Sequence, residues 1–352
     1  MAMLKIKEAK KIIDGYYSAL YLKKAKKIVQ TTLKGNTVSI LRFTHFNKHP
    51  IYVCGISLVI QLLKQVIGNK KNISVYGVKD GDYVKAGQPI LVIQGNYANI
   101  AIFEGVIDGI IARCSSICNS CKQILSLIKP QQLIFMGDRA DIYTAQPFDG
   151  YAAYVAGVRY FVTDAQLELI ADHKDCHVVG TIPHALIQQH NGDLTNTLNH
   201  YQLCYKNDKL SALVDYDNDV CKTIKEIANK FPNLATIRID TSSGAIDKSL
   251  PKSKAFCGVH EKLVRNARKT LNECNLTKTK IIVSSGFDYK KIKSFVDNKV
   301  PADIYGVGAS LLKVNVNITG DMVYLENKPQ AKFGRSLGIK INKIKTLLHK
   351  YI

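Results

Sequence analysis

Apolar and polar positions along the chain divide it into two halves of different rhythm. Ile12, Ile13, Tyr16, Tyr17, Leu20 and Tyr21 recur at helical spacings with lysines between them, which predicts helix over residues 1 to about 35. Asn36 to Phe46 alternates like a strand, and Ile51 to Val66 returns to a helical pattern. From Asn72 to Gln94 short β-branched pieces are separated by Asp-Gly and Ala-Gly turn signals, the pattern of a small β-barrel or sandwich. A long helix is predicted from Ala98 to about Leu127, interrupted near Arg113-Cys114-Ser115-Ser116. Pro130 closes this half because proline cannot continue a helix.

Beyond Pro130 short β-branched runs alternate with helical stretches. The runs are Leu133–Met136, Tyr160–Val162, His177–Val179, Ala212–Val214, Thr236–Ile239, Ile281–Val283 and Ile304–Val307. This alternation predicts an α/β fold with a parallel α/β barrel. The division that follows is an N-terminal α+β domain over 1–130, a barrel over 131–320 and a C-terminal segment over 321–352. In that segment Ile339 to Ile352 reads as a basic amphipathic helix, packing on the N-terminal domain.

A parallel barrel opens all its strands' C-terminal ends on one face, so polar residues just after each strand converge. These are Gly137-Asp138-Arg139, Thr163-Asp164, Gly180-Thr181 with His184, Arg238-Ile239-Asp240-Thr241-Ser242, Ser284-Ser285-Gly286 and Gly306-Val307-Gly308. The last two are small-residue turns leading into helices, which let backbone amides approach a phosphate. Arg139 and Arg238 have the planar fork that captures carboxylate or phosphate, and either could instead pair with Asp141 or Asp240. His184 follows a strand end, where an imidazole stays accessible while its backbone is held. There is no Gly-x-Ser-x-Gly elbow and no Gly-x-x-x-x-Gly-Lys phosphate loop.

Composition changes this picture little. With 352 residues, 46% of them hydrophobic, and no apolar run of membrane-spanning length, the chain reads as globular. The start of the chain lacks a secretory pattern, and nine cysteines in a chain of this size suit a reducing compartment, so a cytoplasmic location is expected. Cys114, Cys118 and Cys121 fall on one helix face, the spacing of a packed core, and no protein-only metal site is expected from them. The net charge of +21 is lysine scattered over the chain without the basic stripe and interleaved aromatics of a dedicated nucleic-acid binder.

In their order along the chain these motifs resemble the nicotinate phosphoribosyltransferase family, among the type II phosphoribosyltransferases that also include quinolinate phosphoribosyltransferase. The resemblance runs through Asp14-Gly15-Tyr16-Tyr17, the segment 72–95, which is similar to the hammerhead barrel of lipoyl carriers, and Phe103-Glu104-Gly105 to Arg113. It continues through Phe148-Asp149-Gly150, Gly180-Thr181-Ile182-Pro183-His184, Ile237-Arg238-Ile239-Asp240-Thr241, Ser284-Ser285-Gly286, Gly306-Val307-Gly308 and Lys328 to Gly334. It implies condensation of nicotinate with 5-phosphoribosyl 1-pyrophosphate and Mg2+, ATP coupling through a phosphorylated His184, and a homodimer or larger symmetric oligomer. Tyr21 would bound the pyridine ring, Thr181, Arg139 and Arg238 would hold anionic groups, and Asp240 would stabilise the sugar cation or order Mg2+. Ser284, Ser285, Gly286, Gly306 and Gly308 would cradle the 5-phosphate. The chain departs from the family pattern at Ala140, where a second arginine is usual, at Ala309, at Lys24-Ala25 and at Thr163-Asp164. The alternatives are quinolinate phosphoribosyltransferase and a non-catalytic homologue that binds nucleotides or nucleic acid.

Overall fold

The computed structural model describes residues 9–33, 37–67 and 72–352. The helix expected at the start therefore begins and ends outside the described residues. What is described of it is two helices, Ala9–Ile13 and Leu20–Thr32, separated by a turn in which Gly15 takes a left-handed φ of 71°.

The strands in chain order are β1 (Val38–His45), β2 (Ile51–Tyr52), β3 (Ser74–Gly77), β4 (Tyr83–Val84) and β5 (Leu91–Asn96). The second half supplies β6 (Leu133–Phe135), β7 (Tyr160–Phe161), β8 (His177–Val178), β9 (Ser211–Leu213), β10 (Thr236–Ile239), β11 (Lys280–Val283) and β12 (Ile304–Val307). Three more close the chain, β13 (Ile318–Leu325), β14 (Lys328–Pro329) and β15 (His349–Lys350).

β6 to β12 form one curled, all-parallel sheet in the order β8-β7-β6-β12-β11-β10-β9, a barrel open between β8 and β9. Each predicted run of the second half is one of its strands. The N-terminal sheet is antiparallel, in the order β14-β13-β1-β5-β3-β15. The turn-rich segment 72–95 is not self-contained: β3 and β5 enter this sheet, while β4 pairs with β2. β13 pairs along nearly all of β1, so the residues from Ile318 belong to the N-terminal sheet and position 320 falls inside a strand.

Two sequence expectations are corrected. The helix Glu104–Leu125 runs unbroken through Arg113-Cys114-Ser115-Ser116, and the irregularity lies earlier, in a 3-10 turn over Ala101–Phe103. Ser116 keeps its hydroxyl inside the helix by bonding Ala112 O at 2.7 Å, so a polar run does not break it. The end of the chain is not a long basic helix. Ile344–Leu347 makes one turn and β15 then pairs with β3, because an apolar face of Leu337, Ile344 and Leu348 is laid on Ile40, Tyr76, Val92 and Val323.

The Glu104–Leu125 helix belongs to two cores. Ile107 and Ile111 pack under the N-terminal sheet, while Cys114, Ile117, Cys118, Cys121 and Ile124 pack into the barrel. All three of those cysteines are fully buried, as a thiol used as a small hydrophobe should be. Asp80 joins the halves a second time. Its carboxylate accepts the N–H groups of Ile56 (2.8 Å) and Ser57 (2.9 Å) at the start of the Ile56–Ile67 helix, and the hydroxyl of Tyr151 from the barrel side (2.7 Å). Asp80→Ala should cost about 2–3 kcal/mol in chemical denaturation, the sum of a lost helix cap and a lost charged hydrogen bond.

Glu104 and Asp108, one turn apart on the same helix, are half-buried near Asp321, and burial pushes both carboxyls up to about 7. Their pKa values are higher folded than unfolded, so the folded state binds more protons between about pH 4 and 7 and loses stability as pH rises through that window. Glu104→Gln and Asp108→Asn should therefore raise the thermal midpoint at pH 8 and have little effect at pH 4.

Candidate active site

Strand ends of the barrel bring Thr181, Arg238, Asp240 and Ser284 into one network. Arg238, on β10, donates from Nε to Ser284 Oγ (2.9 Å) and from one terminal nitrogen to Thr181 Oγ1 (3.2 Å), and its other terminal nitrogen pairs with Asp240 Oδ2 (3.0 Å). Ser284 in turn donates to Asp240 Oδ1 at 2.5 Å. Arg238 alternates out of a strand whose Ile237 and Ile239 are fully buried, so the pleat sends its side chain to the opposite face. A guanidinium has five N–H donors; two are spent on Ser284 and Thr181 and the contact with Asp240 is an ion pair, which leaves N–H groups on both terminal nitrogens for an incoming anion.

His184 is the first residue of the short helix His184–Gln189, set by Pro183 at its N-cap. Its Nε2 lies 3.2 Å from Oδ1 of Asp215, just beyond β9. The imidazole is 42% exposed and the carboxylate only 3%, so the pair is an open group held by a buried one. Asp215 Oδ2 accepts the backbone N–H of Asp240 at 3.1 Å, which ties the histidine to the Arg238 network through a single carboxylate. Burial pushes the Asp215 carboxyl above the ordinary range, and His184 pulls it back down. Asp215 is the residue that sequence reasoning missed. It stands where the strand-end rule would look, two residues past Leu213, at the start of the polar run Asp215-Tyr216-Asp217-Asn218-Asp219, which was the signal that could have found it.

The two glycine-containing turns lie beside this network. Ser285 and Gly286 are both left-handed, at φ 71° and 69°. For a serine such backbone strain costs of the order of 1–3 kcal/mol and persists where the surroundings impose it. Ser310 Oγ donates to Phe287 O at 2.8 Å and clamps the second turn to the first. Gly306 is buried within β12, and a Cβ there would lie 2.6 Å from the sulfur of Met136. At Gly308 it would lie 2.5 Å from the Met136 carbonyl oxygen. Close packing thus requires glycine at 308, where the obstacle is backbone, while at 306 the obstacle is the movable end of the Met136 side chain. A Cβ at Gly286 would meet nothing within 4 Å, leaving that turn open.

Two sequence candidates stand apart. Arg139 is exposed and has no hydrogen bond or ion pair among the described residues, whereas every other arginine has one. Asp141, its suggested partner, is instead 2.7 Å from Arg113, which also holds Asp149 through two bonds of 2.7 and 2.9 Å. Arg139→Ala should leave the thermal midpoint unchanged, within about 0.5 kcal/mol, because no internal contact is lost. Tyr21 is 66% exposed and lines a cavity of about 690 Å³ in the N-terminal domain with Tyr97, Glu104 and Lys332. It makes no bond to the barrel network.

The family model described as quinolinate phosphoribosyl transferase, N-terminal domain, matches residues 29–115. A nicotinate phosphoribosyltransferase of Mycobacterium tuberculosis is 26% identical over 255 residues, 70% of this chain and 52% of that protein. The Bacillus subtilis enzyme of that name is 24% identical over 245 residues, 67% of this chain and 45% of its own. The crystal structure of a nicotinate-nucleotide pyrophosphorylase from Pyrococcus furiosus superposes with a TM-score of 0.79 at 25% identity, over 96% of this chain and 82% of that one. In sequence and fold the chain is similar to the type II phosphoribosyltransferases. Human nicotinic acid phosphoribosyltransferase, at 12% identity and a TM-score of 0.66 over 91% of this chain and 77% of its own, shares the fold. The chain spans about half the length of the curated relatives it matches. Among the described residues no helix is long and apolar enough to cross a membrane.

Proposed function

We propose that this phosphoribosyltransferase condenses nicotinate with 5-phosphoribosyl 1-pyrophosphate, giving nicotinate mononucleotide and pyrophosphate for NAD synthesis. The observation that carries the reading is the Thr181–Arg238–Asp240–Ser284 network tied through Asp215 to an open His184. Nicotinate's ring nitrogen is a free nucleophile at neutral pH, so the reaction asks for positioning and charge stabilisation more than for a general base. The remaining donors on the two terminal nitrogens of Arg238 form a fork that suits one carboxylate. Asp240 lies 17% exposed beside it, where its negative charge stabilises the cationic sugar carbon as the carbon–oxygen bond to pyrophosphate breaks. The open Ser285-Gly286 turn and the adjoining Gly308 turn take the 5-phosphate.

Mg2+ is commonly held by one or two carboxylates together with substrate phosphates. Among the described residues no cluster of three or more acidic, histidine or cysteine side chains is set for a metal, and Asp240 fits as the single protein carboxylate. Bound there, Mg2+ would neutralise the leaving pyrophosphate. ATP enters at His184. Its Nε2 faces Asp215, which leaves Nδ1 as the nitrogen free to attack the γ-phosphorus, with ADP leaving as the P–O bond breaks.

Selection of nicotinate over quinolinate rests on charge. A second carboxylate would need a second arginine fork in the network, and the network holds one, Arg238, while Arg139 makes no bond to it. Tyr21 reaches a pyridine ring only if another copy supplies it, so the exposed Tyr16, Tyr17, Leu20 and Tyr21 are assigned to a homodimer contact. The test is pyrophosphate release with Mg2+ and nicotinate, quinolinate or nicotinamide in parallel, with and without ATP, with sedimentation for the dimer. Release with quinolinate alone would reassign the substrate. No release from folded protein with any acceptor would leave a binding protein.

A further inference from the structure

Six residues after His184 a second histidine, His190, ends the same short helix, and His200 projects from the next one, Leu194–Cys204. Nε2 of His190 and Nδ1 of His200 are 2.9 Å apart. The proton positions follow from the neighbours. Thr197 spends its hydroxyl proton on Asp193 O (2.8 Å), so towards Nδ1 of His190 (3.2 Å) it can only accept. The other neighbour of that nitrogen is the Leu186 carbonyl, at 3.0 Å, which also only accepts. Nδ1 of His190 must therefore carry the ring proton, and the lone pair of Nε2 points at His200. A backbone carbonyl that fixes the tautomer in this way is the usual support of a metal-binding histidine.

We propose that His190 and His200 bind one borderline divalent transition-metal ion, of which Zn2+ is the probe, through Nε2 of His190 and Nδ1 of His200. Without metal, His200 Nδ1–H donates to His190. On binding, that proton moves to Nε2 of the same ring, so no net proton is released from the neutral pair. Tetrahedral coordination with Zn–N of about 2.0–2.1 Å places the two nitrogens about 3.3 Å apart and requires the exposed His200 ring to turn so that both lone pairs meet at one ion. With two protein ligands and water in the other positions, the site is open and labile. It pins the end of the helix that begins with His184 to the helix behind it.

The test is calorimetric titration of the full chain with Zn2+ at pH 7.5, followed by Co2+ absorption to report coordination. The expected result is one ion per chain, with His200→Asn and His190→Asn each weakening binding by about tenfold or more, and with His184→Asn unchanged. Zn2+ should raise the thermal midpoint of the wild type and of His184→Asn, and not that of His200→Asn. Unchanged affinity in His200→Asn, loss of binding in His184→Asn, or no Zn2+ binding by the wild type would each overturn the assignment.

Discussion

Arg238→Ala is expected to lower kcat/KM for nicotinate by about three orders of magnitude, the equivalent of about 4 kcal/mol. The size follows from what the guanidinium does at once. It pairs with Asp240, donates to Thr181 and Ser284, and retains the fork assigned to the substrate carboxylate. Alanine removes the fork and leaves Asp240 a partly buried carboxylate without its cation, so the site gains a repulsive charge facing an anionic substrate. Two controls separate these losses. Arg238→Lys restores a charge without the planar geometry and should recover less than a tenth of the activity. Arg238→Ala combined with Asp240→Asn should bind nicotinate better than Arg238→Ala alone, because the unpaired carboxylate is gone. Steady-state kinetics with saturating phosphoribosyl pyrophosphate make the measurement, and a wild-type kcat/KM in Arg238→Ala would remove this residue from the site.

His184→Ala should abolish ATP stimulation while keeping a slow ATP-independent rate, since the Arg238 network does not depend on the imidazole. Asp215→Asn should be milder, lowering the ATP-stimulated rate about 10- to 100-fold, the worth of one hydrogen bond to a charged partner. The carboxylate matters most when the ring is positively charged, as it becomes on phosphorylation at Nδ1. Incubation with γ-labelled ATP gives the direct measurement. Acid-labile, base-stable label should appear on the wild type, fall in Asp215→Asn and be absent from His184→Ala. Label of equal intensity in His184→Ala would place the phosphoryl group elsewhere.

Much of the architecture was written in local pattern. Each strand of the parallel sheet is a β-branched run between helical stretches, and the parallel rule then placed Thr181, His184, Arg238, Asp240 and Ser284 on one face before any coordinates. Local pattern failed where the decision is made by a distant surface. The polar run at Arg113–Ser116 looked like a break, but Ser116 satisfies its hydroxyl within the helix while Cys114 and Cys118 pack into the barrel. The lysine-rich end of the chain looked like a helix, but an open edge of the N-terminal sheet takes its last residues as a strand.

Fold class and the strand-end set were thus determined by the sequence itself, because periodicity and strand direction are short-range properties. Which acid serves which base was decided only by tertiary structure. Asp141 went to Arg113 and left Arg139 single, and an unremarked Asp215 became the support of His184, whereas the Arg238–Asp240 pair, two residues apart, was already offered by the sequence. An ion pair or hydrogen bond forms over about 3 Å, and no spacing along the chain specifies that distance between residues brought together from separate strands.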